Sequence, residues 1–126
     1  MISGKGLKIR KASLTSRQLA KRIAELALDK KAEDVIVLDM RKLVNFCDFF
    51  VICSGTSVRH AQAVANGIEE GLRQTGLKAK LSRRAGQSWI VYDLGDVVVH
   101  VFETNVREFY NLEYLWRDAK QIKWES

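Results

Sequence analysis

Between Cys53 and His60 the chain reads Cys-Ser-Gly-Thr-Ser-Val-Arg-His, which sets a glycine and two hydroxyl side chains where a strand would end and a helix begin. Backbone N–H groups at such a junction can hold a phosphate, so Gly55, Thr56 and Ser57 form a candidate anion site. The same residues equally suit a plain strand exit with Ser57 as a helix N-cap. A nucleotide-dependent enzyme built on this loop would need carboxylates close behind it to carry a divalent metal. Val58, Arg59, His60 and Ala61 follow instead, and the next acid is Glu69. Walker and Rossmann spacings are absent. His60 and His100 are the only histidines, and no Cys/His cluster has zinc spacing. A Cys53–His60 hydrolase would require an orienting group and an oxyanion site that the sequence does not offer. These residues imply no catalytic constellation, metal or cofactor, and the expectation is a protein that is not an enzyme.

A second stretch, Trp89 to Phe102 (WIVYDLGDVVVHVF), is almost entirely β-forming and is broken once by Asp-Leu-Gly-Asp. Pairing across that turn with Asp93 opposite Asp96 sets Val91 opposite Val98 and Trp89 opposite His100. The period of two then sorts the side chains. Ile90, Tyr92, Val97, Val99 and Val101 make one apolar face that suits a core. Trp89, Val91, Asp93, Asp96, Val98 and His100 make the other, whose aromatic, carboxylates and imidazole have the composition of a partner-facing patch. Gly95 has a backbone reason to sit in the turn, since a type II turn needs positive φ at its third residue. Leu94 has none. The candidate partner-binding set is therefore Trp89, Asp93, Leu94, Asp96 and His100. Core burial of the tryptophan and a covered leucine are the plainer alternatives.

Simple elements must position these residues. Thr15 or Ser16 can cap a helix whose stripe is Leu19, Ile23, Leu26 and Ala27. Residues 34–40 and 45–55 read as strands, the second mostly buried. Ser57 to about Thr75 reads as a helix with Val58, Ala61, Ala65, Ile68 and Leu72 on one face and Gly76 as its stop. A short strand at 77–82 and the hairpin (88–94 and 97–102) follow. Asn105 and Glu108 resemble a capping box opening a last helix, with Phe109, Leu112, Trp116 and Ala119 facing inward. The order α-β-β-α-β-β-β-α predicts a single α/β (α+β) domain with a mixed β-sheet and flanking helices.

The 126 residues can bury one core without staples, and with no proline there is no proline-rich linker. No apolar run could span a bilayer and no secretion signal is evident, so no membrane association and a cytoplasmic location are expected. Cys47 and Cys53 read as two ends of one strand, about 20 Å apart and so unable to pair, hence as buried thiols. Residues 1–31 carry nine Lys/Arg against Glu25 and Asp29, a net +7, while the remaining twelve cations and thirteen acids leave −1. Residues 1–14 are thus expected to be a flexible basic leader to a domain at 15–126. Either this arm is a solvated tail or it contacts rRNA through phosphate neutralisation, in which case the protein would act as a general RNA-binding module.

Taken together, DFFVICSGTSVRH, WIVYDLGDVVVHVF and REFYNLEYLW resemble the ribosomal silencing factor, or Iojap, family in order and approximate spacing, over about residues 15–120. The resemblance implies a nucleotidyltransferase-like fold without transferase chemistry. It further implies a translation repressor that binds the large ribosomal subunit through its protein number fourteen and blocks joining of the small subunit when nutrients are scarce. The family tryptophan and the leucine of its DLGD turn match Trp89 and Leu94, and family members often form homodimers. The sequence departs from the pattern at Ser82-Arg83, where relatives usually carry Glu-Gly.

Overall fold

The computed structural model describes residues 14–77, 81–84 and 88–125. The basic leader up to residue 13 lies outside them, as do the side chains of Ser82 and Arg83. Thr15 caps the first helix, α1 (Ser16–Asp29), by a full capping box: its hydroxyl accepts from the Gln18 N–H and the Gln18 carboxamide accepts from the Thr15 N–H. Two strands follow, β1 (Glu33–Asp39) and β2 (Phe49–Gly55). Ser57 then caps α2 (Val58–Gln74), and Gly76, at φ +86°, turns the chain out of it. Next come β3 (Leu81–Arg84), β4 (Trp89–Asp93) and β5 (Val97–Glu103).

Beyond β5 the chain departs from expectation. Instead of one long helix there are α3 (Thr104–Tyr110), α4 (Leu112–Leu115) and a closing strand, β6 (Lys120–Ile122). The Asn105–Glu108 capping box does not form, because the helix starts earlier: the Glu103 carboxylate caps it by accepting from the Asn105 N–H. Asn111 adopts the left-handed conformation (φ 49°, ψ 58°) and breaks the helical run. The break uncouples the residues on either side of it: Phe109 is 82% exposed, whereas Leu112 is buried.

The six strands form one mixed sheet in the order β3-β4-β5-β2-β1-β6. Only the central pair, β2 and β5, runs parallel; every other neighbouring pair is antiparallel. All seven residues of β2 are buried, as a strand covered on both faces must be. On one face α1 and α2 pack over the sheet, enclosing Ile23, Phe49, Val51, Ile68, Leu72, Tyr92 and Val99. On the other, a smaller core of Met40, Phe50, Ile52, Val98, Phe102 and Leu112 is covered by the loop after β1 and by the segment from α3 onward. The sheet is therefore clothed on both sides, but by helices of normal length on one side only.

Cys47 is not in β2. It lies in the loop before it, which is tied down when the Asp48 and Phe49 N–H groups both donate to the Asp96 carbonyl at the hairpin tip. Both thiols are free and buried, and burial pushes Cys53 up to about 12.

Gly55 ends β2 hard against the first turn of α2. A Cβ built there would lie 2.4 Å from the Ala61 nitrogen and 2.7 Å from its Cα. These are backbone atoms and cannot swing away, so Gly55→Ala should destabilise the fold by about 1–3 kcal/mol, the usual cost of overpacking. Urea denaturation of the variant checks this; an unchanged midpoint would show that the helix can back off freely.

Candidate docking site on the hairpin

The hairpin forms with a register two residues from the expected one. Asp93 pairs with Val98, Val91 with His100 and Trp89 with Phe102. A shift of two preserves the sorting of side chains between faces, and the apolar face is buried as expected: Ile90, Val97, Val99 and Val101 are fully enclosed. The turn is held by the Leu94 N–H donating to the Val97 carbonyl and by the Gly95 N–H donating to the Asp93 carboxylate. Gly95 adopts φ +88°, the conformation for which glycine was expected.

The five candidate docking residues are not brought together as one exposed patch. Asp93 and Asp96 are exposed at the tip. Leu94 turns to the other side of the sheet, where it is half-buried against the core beneath the two long helices. His100 is only 7% exposed and contacts Trp89 within the chain. Trp89 is half-buried at the rim of the smaller core.

Trp89 is held from several sides. Its indole stacks on Phe102 at 4.9 Å between centroids and meets Tyr110 at 4.5 Å, and Tyr110 in turn meets Phe109 edge-on at 5.2 Å. The indole N–H donates to His100 Nδ1 at 3.2 Å. An indole can only donate, so Nδ1 must be the acceptor and the imidazole proton sits on Nε2. That Nε2 is buried without a hydrogen-bond partner among the described residues. Burial holds the His100 pKa down to about 4, so the ring is neutral and the indole contact is kept at physiological pH. The result is a row of rings, Phe102–Trp89–Tyr110–Phe109, running from full burial to 82% exposure.

Sequence reasoning missed the outer half of this row and its neighbours. Tyr110, Tyr114 and Leu115 are exposed at 46%, 63% and 62%, and Phe46 at 59%. The missed signal was Asn111, a residue that tolerates left-handed backbone and so can interrupt a helix. Arg107 was also missed. It is 7% exposed, and its guanidinium donates to the Glu113 carboxylate at 2.9 and 2.7 Å, the Asp34 carbonyl at 2.8 Å and the Ser54 hydroxyl at 2.8 Å. It thereby pins α3 and α4 to the ends of β1 and β2.

At the candidate anion loop the Thr56 N–H and the His60 imidazole are engaged within the chain. The Thr56 N–H donates to His60 Nδ1 at 2.9 Å, and His60 Nε2 donates to the Lys30 carbonyl at 2.9 Å. The Ser57 hydroxyl accepts from the His60 N–H, and the Gly55 carbonyl accepts from Thr104. Gly55, Thr56 and Ser57 thus serve the plain role of strand exit and helix cap. Among the described residues no group of His, Cys, Asp and Glu could hold a metal, and no helix is long and apolar enough to cross a membrane.

The neutral, buried His100 makes a pH prediction. Once unfolded, its imidazole regains a pKa near 6.5 and binds a proton that the folded state refuses until about pH 4. Stability should therefore decline as pH falls from about 6.5 to about 4, by up to roughly 3 kcal/mol from this group. Urea midpoints measured across that window should fall less steeply for His100→Gln than for the wild type. Parallel declines would assign the acid sensitivity to other groups.

Residues 13–126 match the family model described as "Ribosomal silencing factor during starvation". A ribosomal silencing factor of Halalkalibacterium halodurans is 38% identical over 114 residues, covering 90% of this chain and 97% of that protein. One of Bacillus subtilis is 39% identical over 107 residues, covering 84% and 91%. The crystal structure of a Chromobacterium violaceum protein superposes with a TM-score of 0.77 at 32% identity, covering 82% of this chain and 87% of that one. With the match running from the first helix cap to the last residue, this chain belongs to the ribosomal silencing factor family.

Proposed function

We propose that the protein represses translation by docking on the large ribosomal subunit, through that subunit's protein number fourteen, and sterically preventing the small subunit from joining. Family membership supports the ribosomal setting, and the family description ties it to starvation. The observation that carries the docking reading is the row of rings from Phe102 through Trp89 and Tyr110 to Phe109. Large aromatics that are clamped at one end and exposed at the other bury much area on binding while losing little conformational freedom.

Within this reading Trp89, Tyr110 and Phe109 make the central contact, and Tyr114 and Leu115 extend it. Asp93 and Asp96, exposed at the hairpin tip, offer carboxylates to cations of the partner. His100 acts indirectly by fixing the indole. Leu94 braces the turn from the helix side and contributes whatever part of its side chain stays open. Self-association of the chain, and contact of the basic leader with rRNA, belong to the same proposal as secondary expectations.

Phe109 and Tyr114 are largely exposed, so replacing them leaves the fold intact and tests the surface cleanly. Phe109→Ala/Tyr114→Ala should unfold at the wild-type urea midpoint yet lose co-sedimentation with isolated large subunits by about thirtyfold or more, equivalent to roughly 2 kcal/mol. Trp89→Ala should lose binding and also some stability. Subunit joining should recover in parallel with the lost binding. Wild-type co-sedimentation of both variants would place the docking face elsewhere on the molecule.

A further inference from the structure

On the far edge of the sheet from Trp89, the first turn of α1 stands over β6 and the residues after it, leaving a cavity of about 370 Å3. Its floor is apolar, made of Val37, Ile122 and Trp124, and its rim carries Arg17, Lys21 and Lys123. Those three cations make no hydrogen bond or ion pair among the described residues. No carboxylate lines the cavity among those residues. Asp39 lies within electrostatic reach of Arg17, but its two oxygens are taken by the Arg41 guanidinium at 2.9 and 2.7 Å. Glu125 is not among the lining residues of this cavity; it lines a neighbouring hollow that shares Ile122, Lys123 and Trp124 with it.

Three cations without an ion-pair partner among the described residues, gathered around an apolar hollow, select a ligand with both a compact multiple negative charge and a flat apolar body. A bare phosphate would leave the floor dry and unfilled, and a monocarboxylate would leave charge unmatched. The volume falls in the range of small-molecule sites. We propose that this cavity binds a free nucleoside polyphosphate, with its base against Trp124 and Ile122 and its phosphates among Arg17, Lys21 and Lys123. The site is distinct from the Gly55–Ser57 loop, none of whose residues lines the cavity. It also lies at the β1–β6 end of the sheet, with β2 between Val37 on β1 and the row's Phe102 on β5, so it stands whether or not the ribosomal docking reading holds.

The test is isothermal titration of the full chain with metal-free ATP or GTP, with the parent nucleoside and inorganic tripolyphosphate as separate arms. Saturable binding of one stoichiometric nucleotide is expected, weaker for either fragment alone. Charge reversal at the exposed Arg17→Glu/Lys21→Glu should weaken it at least about tenfold, the cost of losing charge-assisted contacts. Lys123→Gln should weaken it less, and Phe109→Ala should leave it unchanged. Circular dichroism confirms that the reversed variant is folded. Three results would overturn the proposal: no saturation by millimolar nucleotide, equal affinity for tripolyphosphate, or binding that survives charge reversal. Binding of an RNA oligomer without binding of mononucleotide would equally overturn it, in favour of an RNA-backbone contact.

Discussion

Strand β2 is buried along its whole length, and both faces of the sheet beside it must therefore be covered. Among the described residues only two helices are of ordinary length, and both lie on the same face. The other face is left to a loop and two short helices, which cannot hide Phe50, Ile52, Val98 and Phe102 without help. Aromatic side chains supply that help, because each covers a large area from a single position. An apolar surface made of rings in short elements is thus a by-product of how the core is closed. Its outer rings, Phe109 and Tyr114, reach well into solvent.

The same shortage explains Arg107. Two short helices with little core beneath them need another anchor, and a single guanidinium reaching two strand ends and Glu113 provides it. Its cost of burial is offset by four directed bonds, which leave little of the charge unsatisfied. Trp89 gains in parallel from His100. A buried neutral imidazole fixes the indole and restricts its side-chain freedom within the chain itself.

Much of the fold could be read directly from the chain. The first two helices, their caps and the hairpin faces all follow from local periodicity and capping chemistry, and the first helix and its Thr15 cap agree within a residue with expectation. What could not be read depended on tertiary closure. The face holding Trp89, Val98 and His100 read as a partner-facing patch because its mixed composition gave no hint that a loop and the chain's own C-terminal segment would lie over much of it. Leu94 followed the parity of Tyr92 towards the helices, the covered position that the sequence had offered as the plainer alternative. The broken last helix hinged on one residue, Asn111, whose left-handed backbone no pattern of apolar spacing reveals.

The glycine-containing loop after β2 illustrates how such ambiguity resolves physically. A phosphate cradle and a helix cap draw on the same residue types, glycine followed by hydroxyls, because both exploit N–H groups at the start of a helix. They differ in what occupies the space above the glycine. A cradle keeps that volume open for the ligand, whereas here the backbone of Ala61 fills it, closer than any Cβ could tolerate. The Thr56 N–H, which would point at a bound anion, is spent on His60, and His60 in turn secures the end of α1 through Lys30. The loop's glycine therefore serves close packing of helix on strand, and the Thr56 N–H and the Ser57 hydroxyl serve contacts within the chain.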